Sequence, residues 1–134
     1  IGRTHGVIDG KTYSTIDYLE EPGKLKENIN DNLFSPLQLA LLCNERNIHY
    51  TYLGTGCIFS YRDKIISDKN GFMETDLPNF FGSQYSTVKG FTDRLMKLIP
   101  NTLNLRIRMP IVNYDNPRNF ITKITKYEKI TPIR

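Results

Sequence analysis

One short run of β-branched and aromatic residues, Ile48 to Leu53, stops at Gly54-Thr55-Gly56 and is bracketed by two helix-length stretches. This order narrows the fold more than any other feature of the chain. Before it, Leu25, Ile29, Leu33, Leu37 and Leu41 recur every four residues from Lys24 to about Arg46, the signature of one side of an amphipathic helix. Pro36 interrupts that helix and leaves the carbonyl of Asn32 without its N–H partner, so a bend is expected. After the strand, residues 61–78 are polar and glycine-containing and read as a long lid loop. A second helix is predicted from about Gly82 to Ile99, with Val88, Phe91, Leu95 and Leu98 inward, Tyr85, Lys89 and Thr92 on a flank, and Pro100 as its stop. Leu103 to Met109 alternates apolar with polar and predicts a second strand, whose Arg106 and Arg108 imply either a wet face or an arginine that reaches a ligand. A third helix is predicted from Asn116 or Pro117 to about Lys129. Residues 1–22 read as loop. The succession is that of an α/β protein with a parallel sheet.

With 134 residues, 39% of them hydrophobic and 24% charged, the chain has the length and composition of one folded domain. No apolar run approaches the roughly 20 residues of a membrane span and no signal peptide opens the chain, so a cytoplasmic protein is expected. Cys43 and Cys57 lack metal-ligand spacing, and neither a metal site nor a disulfide framework is expected. A net charge of +4 suits nucleic acid or anionic small molecules. The basic residues form no single stripe, which favours the small molecules. The chain starts at Ile1 and reads as part of a longer protein.

Tyr85 and Lys89 stand one helical turn apart. A free tyrosine, with a pKa of about 10, exchanges protons poorly near neutrality. A neighbouring ammonium favours the phenolate and makes the pair a proton donor for a carbonyl. Thr55, at the end of the strand, can hold the same carbonyl oxygen, or can simply terminate the strand.

The ordered set Leu53-Gly54-Thr55-Gly56-Cys57-Ile58-Phe59, Pro78-Asn79-Phe80-Phe81-Gly82-Ser83, Tyr85-x-x-x-Lys89, Leu105-Arg106-Ile107-Arg108-Met109-Pro110 and Asn116-Pro117-Arg118-Asn119-Phe120-Ile121-Thr122-Lys123-Ile124 resembles the extended short-chain dehydrogenase/reductases. It is most similar to the dTDP-4-dehydrorhamnose reductases, and among them to the bifunctional 3,5-epimerase/4-reductases that complete UDP-rhamnose synthesis. The resemblance implies a Rossmann-type doubly wound parallel sheet over residues 1–134, and NADP or NAD as cofactor. It implies a UDP- or dTDP-linked 4-keto-6-deoxyhexose as substrate, and a possible homodimer.

Carried over residue by residue, the resemblance makes Tyr85 the acid that protonates the C4 oxygen, and Thr55 the residue that positions the carbonyl. Lys89 becomes the partner of Tyr85 and of the nicotinamide ribose. Asn32 supplies the carbonyl of a relay water, and Cys57 with Lys123 forms the epimerisation pair. Gly2, Arg3, Pro110 and Ile111 fall beside the cofactor, and His5, Asn79, Ser83 and Asn119 beside the substrate. The family's glycine-rich βα turn, which anchors the pyrophosphate, is not found in this sequence. An alternative reading is therefore a non-catalytic remnant of the same fold that serves as an interaction surface.

Overall fold

The computed structural model describes residues 5–61, 71–116 and 119–130. The predicted cofactor residues Gly2 and Arg3, and most of the predicted lid, lie outside these segments.

Strands β1 (Gly6–Ile8) and β2 (Lys11–Tyr13) form an antiparallel hairpin, with Ile8 opposite Lys11. Asp9 and Gly10 make its two-residue turn with φ of 49° and 77°, the left-handed pair that a type I′ turn requires. A 3-10 helix, Ile16–Glu20, follows and buries Tyr18 and Leu19. The expectation of loop over residues 1–22 is thus corrected. The Asp-Gly dipeptide was a readable hairpin signal, and its flanking strands are too short to show alternation.

The first long helix runs as α1 (Leu25–Ile29), a π-helical turn (Asn30–Phe34) and α2 (Ser35–Glu45). The π turn sits where Pro36 has no N–H to offer the preceding turn, so a local widening takes the place of a sharp kink. Its inward face is not the leucine stripe. Asn28, Asn32, Pro36 and Ala40, also four apart, are buried, whereas Leu25, Ile29 and Leu41 are exposed. The inner stripe is half polar because it packs against a polar face of another helix.

That helix is α3 (Gln84–Met96). Ser86, Val88, Lys89, Gly90, Thr92, Asp93 and Met96 are its buried residues. Phe91, Leu95 and Leu98, expected inside, are exposed, so of that stripe Val88 alone is buried. The residues expected on a flank face inward instead.

Strands β3 (Tyr50–Thr55) and β4 (Thr102–Ile107) pair in parallel, with Leu53 beside Leu105 and Thr55 beside Ile107. Helices α2 and α3 cover one face of this pair, where Ala40, Tyr52 and Met96 form the core with Leu37, Tyr50 and Ile99 around them. Gly54 has no room for a Cβ, which would strike the side-chain oxygen of Asn104. The last helix, α4 (Phe120–Ile124), is shorter than predicted. The fold is α/β with a small parallel sheet, and among the described residues that sheet has two strands. No helix of the described residues is long and apolar enough to cross a membrane.

Candidate active site

Thr55 ends β3 at the carboxyl edge of the parallel pair, where crevices form in open α/β sheets. Its Oγ1 accepts the amide N–H of Cys57 at 3.1 Å, which turns the chain sharply and keeps the Cys57 thiol beside the strand end. Ser86 of α3 donates its hydroxyl to the Cys57 carbonyl at 2.9 Å. The turn and the helix are therefore tied together next to Tyr85.

The helix is placed with equal care. Ser83 caps it by accepting the Ser86 N–H at 3.1 Å. Glu20, from the 3-10 helix, accepts the N–H groups of Gln84 and Tyr85 at 2.9 and 2.8 Å. Three otherwise unpaired amides of the first turn are satisfied in this way, and a carboxylate suits the positive end of the helix dipole. The backbone of Tyr85 is pinned by a residue 65 positions away in sequence.

Burial pushes the Tyr85 phenol above its ordinary pKa, the nearby Cys57 raises it further, and a hydrogen bond with Thr55 pulls it down. Thr55, Cys57 and Tyr85 thus form one cluster. The direction is opposite to the lowering by Lys89 that the sequence suggested, because Lys89 is engaged elsewhere. Lys89 is only 6% exposed, and its ammonium donates to the Tyr52 hydroxyl and lies 4.4 Å from the centre of that ring, with the Leu53 carbonyl at 3.4 Å. Burial lowers the Lys89 pKa to about 8, against a smaller upward pull from Asp93.

Asn32 is buried at the π turn, where its side chain donates to Asn28 at 3.0 Å. Its backbone carbonyl, expected to be unpaired, has a protein donor in the Thr92 hydroxyl at 2.6 Å.

The other predicted residues divide. Asn79 spends both ends of its amide on the backbone of Ser60, accepting at 2.8 Å and donating at 2.9 Å, and so clasps the chain after Cys57. Asn119 is buried and donates to the carbonyls of Val112 and Tyr114 at 2.9 and 3.3 Å, while its oxygen has no partner among the described residues. Lys123 is half-buried in the last turn of α4, and nothing among the described residues joins it to Cys57. Pro110 and Ile111 are exposed just after Met109, which has a positive φ of 47°, an unusual setting for a bulky side chain. His5 is exposed before β1.

Arg106 bears on the alternatives posed for the second strand. It pairs with Asp93 through Nε at 2.7 Å and a terminal nitrogen at 2.8 Å. Its remaining donors go to the carbonyls of Met73, Glu74 and Asp76 at 3.2, 3.1 and 2.9 Å. Arg106 is thus committed within the protein, whereas Arg108 and the face of Leu103, Leu105 and Ile107 are exposed, so one face of the strand is wet. Thr92 was legible beside Tyr85 and Lys89, but its bond to Asn32 was not, and Tyr52 and Glu20 escaped notice because each acts across a long separation. No cluster of potential metal ligands occurs among the described residues.

No protein-family model matches the chain. A protein of Acanthamoeba polyphaga mimivirus, L780, is 61% identical over 134 residues, which is 99% of this chain and 45% of that one. The crystal structure of the L780 UDP-rhamnose synthase superposes with a TM-score of 0.84 at 62% identity, over 96% of this chain and 44% of that one. This chain is a homologue of UDP-rhamnose synthase. In Arabidopsis thaliana, a bifunctional dTDP-4-dehydrorhamnose 3,5-epimerase/dTDP-4-dehydrorhamnose reductase is 44% identical over 109 residues, covering 80% of this chain and 36% of that protein. A trifunctional UDP-glucose 4,6-dehydratase/UDP-4-keto-6-deoxy-D-glucose 3,5-epimerase/UDP-4-keto-L-rhamnose reductase of the same plant is 45% identical over 109 residues, 16% of its length. The chain spans less than half the length of these relatives.

Proposed function

We propose that this chain is the catalytic portion of a reductase and 3,5-epimerase acting on a nucleotide-linked 4-keto-6-deoxyhexose in rhamnose synthesis, within a longer Rossmann-type enzyme. The reading rests above all on the cluster of Thr55, Cys57 and Tyr85 at the carboxyl edge of β3. When bound, a nicotinamide cofactor supplies the hydride. Tyr85, and the exposed Pro110 and Ile111 after β4, suit its nicotinamide end, and Lys89 would reach the ribose only by leaving the Leu53 carbonyl. The residues present do not include a glycine-rich turn for its pyrophosphate.

Thr55 orients the ketone oxygen and Tyr85 gives it a proton. A phenol kept protonated by burial is well suited to donate. Cys57 stands beside Tyr85, within reach of a carbon next to the same ketone. There it exchanges a proton as the ketone stabilises the enolate.

The test uses a full-length enzyme carrying this sequence. Tyr85→Phe should lower ketone reduction by about 10²-fold or more with cofactor affinity retained. Cys57→Ala should suppress deuterium uptake from heavy water into the 4-keto sugar and spare reduction of a substrate already epimerised. Unchanged reduction in Tyr85→Phe would refute the reading.

A further inference from the structure

Lys89 is a buried cation, and the carboxylate that raises its pKa is already committed. Asp93, one turn along α3, holds Arg106 and Asn104. The ammonium rests on the Tyr52 phenol and the Leu53 carbonyl instead. Beside them lies a cavity of about 190 Å³ lined by Asp31, Asn32, Tyr50, Tyr52 and Lys89. It lies on the side of Lys89 that β3 and the π turn share. The Asn32 carbonyl on its wall already holds the Thr92 hydroxyl at 2.6 Å. Tyr52 is therefore the hydroxyl that lies both on Lys89 and on this cavity.

We infer that Tyr52 is the positioning residue of this site: its hydroxyl holds Lys89 and hands it protons from the cavity. The inference rests on the reductase reading for its use and on the Tyr52–Lys89 geometry for its existence. Each transfer balances. Tyr85 gives its proton to the ketone oxygen, and the proton that restores it leaves the Lys89 ammonium by way of a bridging water. The resulting amine takes the Tyr52 hydroxyl proton as Tyr52 takes one from cavity water, so the net proton comes from solvent. Burial holds the Tyr52 phenol well above its ordinary pKa, so its two transfers occur together, without a free phenolate.

The groups that bear on Lys89 are few. Tyr85 and Asp93 lie on its own helix, Tyr50 and Tyr52 on β3, Asp31 on the π turn, and Arg106 on β4 behind Asp93. Tyr52→Phe changes one hydroxyl among them and keeps the ring that packs on Ala40 and Met96.

The experiment is an NMR titration of the lysine side chains in the 134-residue chain, with Lys89 assigned through Lys89→Met. Tyr52→Phe should lower the Lys89 midpoint by about one unit, the size of one hydrogen bond to a charged group. Thr92→Val, which frees the Asn32 carbonyl, should leave that midpoint in place. A midpoint that moves with Thr92→Val and not with Tyr52→Phe would overturn the proposal and return the relay to Asn32. In the unsubstituted chain the Tyr52 hydroxyl proton should show a through-space contact to the Lys89 side chain, and its absence would also overturn the proposal. No arm requires turnover, so failure of the reductase reading, seen with Tyr85→Phe, is separately recognisable.

Discussion

The two faces of the β3–β4 pair have opposite fates. Tyr50, Tyr52 and Gly54, with Thr102, Asn104 and Arg106 beside them, point toward α2 and α3 and are buried or half-buried. On the other face Leu53 is 59% exposed, and Leu103, Leu105 and Ile107 are also open. Parallel sheets normally have both faces covered. Tyr52, Lys89, Asn32 and Thr92 all belong to the covered side, whereas Thr55 alternates with Leu53 and leaves the strand end on the other side. The candidate site is therefore drawn from both sides of the sheet, at the carboxyl edge of β3.

Substitutions can break this contrast. The largest effect is expected from Asp93→Ala on the covered side, which strands the Arg106 guanidinium in a half-buried position. Loss of one partner of a buried pair costs about 3–5 kcal/mol, and urea unfolding should show a destabilisation near the lower end, because Arg106 keeps its loop carbonyls. Destabilisation under 1 kcal/mol would mean that the network does not hold the face together.

Lys89 offers a second, pH-dependent test. Its folded pKa is depressed from 10.5 to about 8, so between these values the unfolded chain binds the extra proton. Raising the pH through that window should therefore stabilise the fold, by up to about 3 kcal/mol. The gain should vanish in Lys89→Met. Stability that is flat from pH 8 to 10 would contradict the burial of the charge.

The smallest effect belongs to the bare face. Leu105→Ser should change the stability of the chain by no more than about 0.5 kcal/mol, as for other exposed positions, while lowering the binding of a hydrophobic dye. A loss of several kcal/mol would show that this face is covered in solution.

The same contrast explains what could be read in advance. Helix positions were legible because Pro36, Pro100 and the Ser83 cap punctuate the chain locally. Which side of each helix faces inward was not. The leucines every four residues and the Phe91, Leu95, Leu98 stripe look like core, yet the inward stripes run through Asn28, Asn32, Lys89 and Thr92. An apolar pattern finds a core only when the core is apolar, and this one encloses polar groups that satisfy each other across helices. Thr55, Cys57 and Tyr85 were readable from their motif spacing. The anchors of Lys89 and Tyr85, Tyr52 and Glu20, lie 37 and 65 residues away and left no local sign.

Arg106 and Asn79 have one more consequence, for the interchangeability of parts. Asn79 fixes the chain at Ser60, and Arg106 uses all five of its N–H groups to fix residues 73–76 against Asp93. Between these two moorings the sequence can be exchanged or lengthened with little entropic penalty, since closing a longer loop costs only about 0.6 kcal/mol per doubling. A change of length in that stretch therefore falls between two fixed points, Ser60 and residues 73–76.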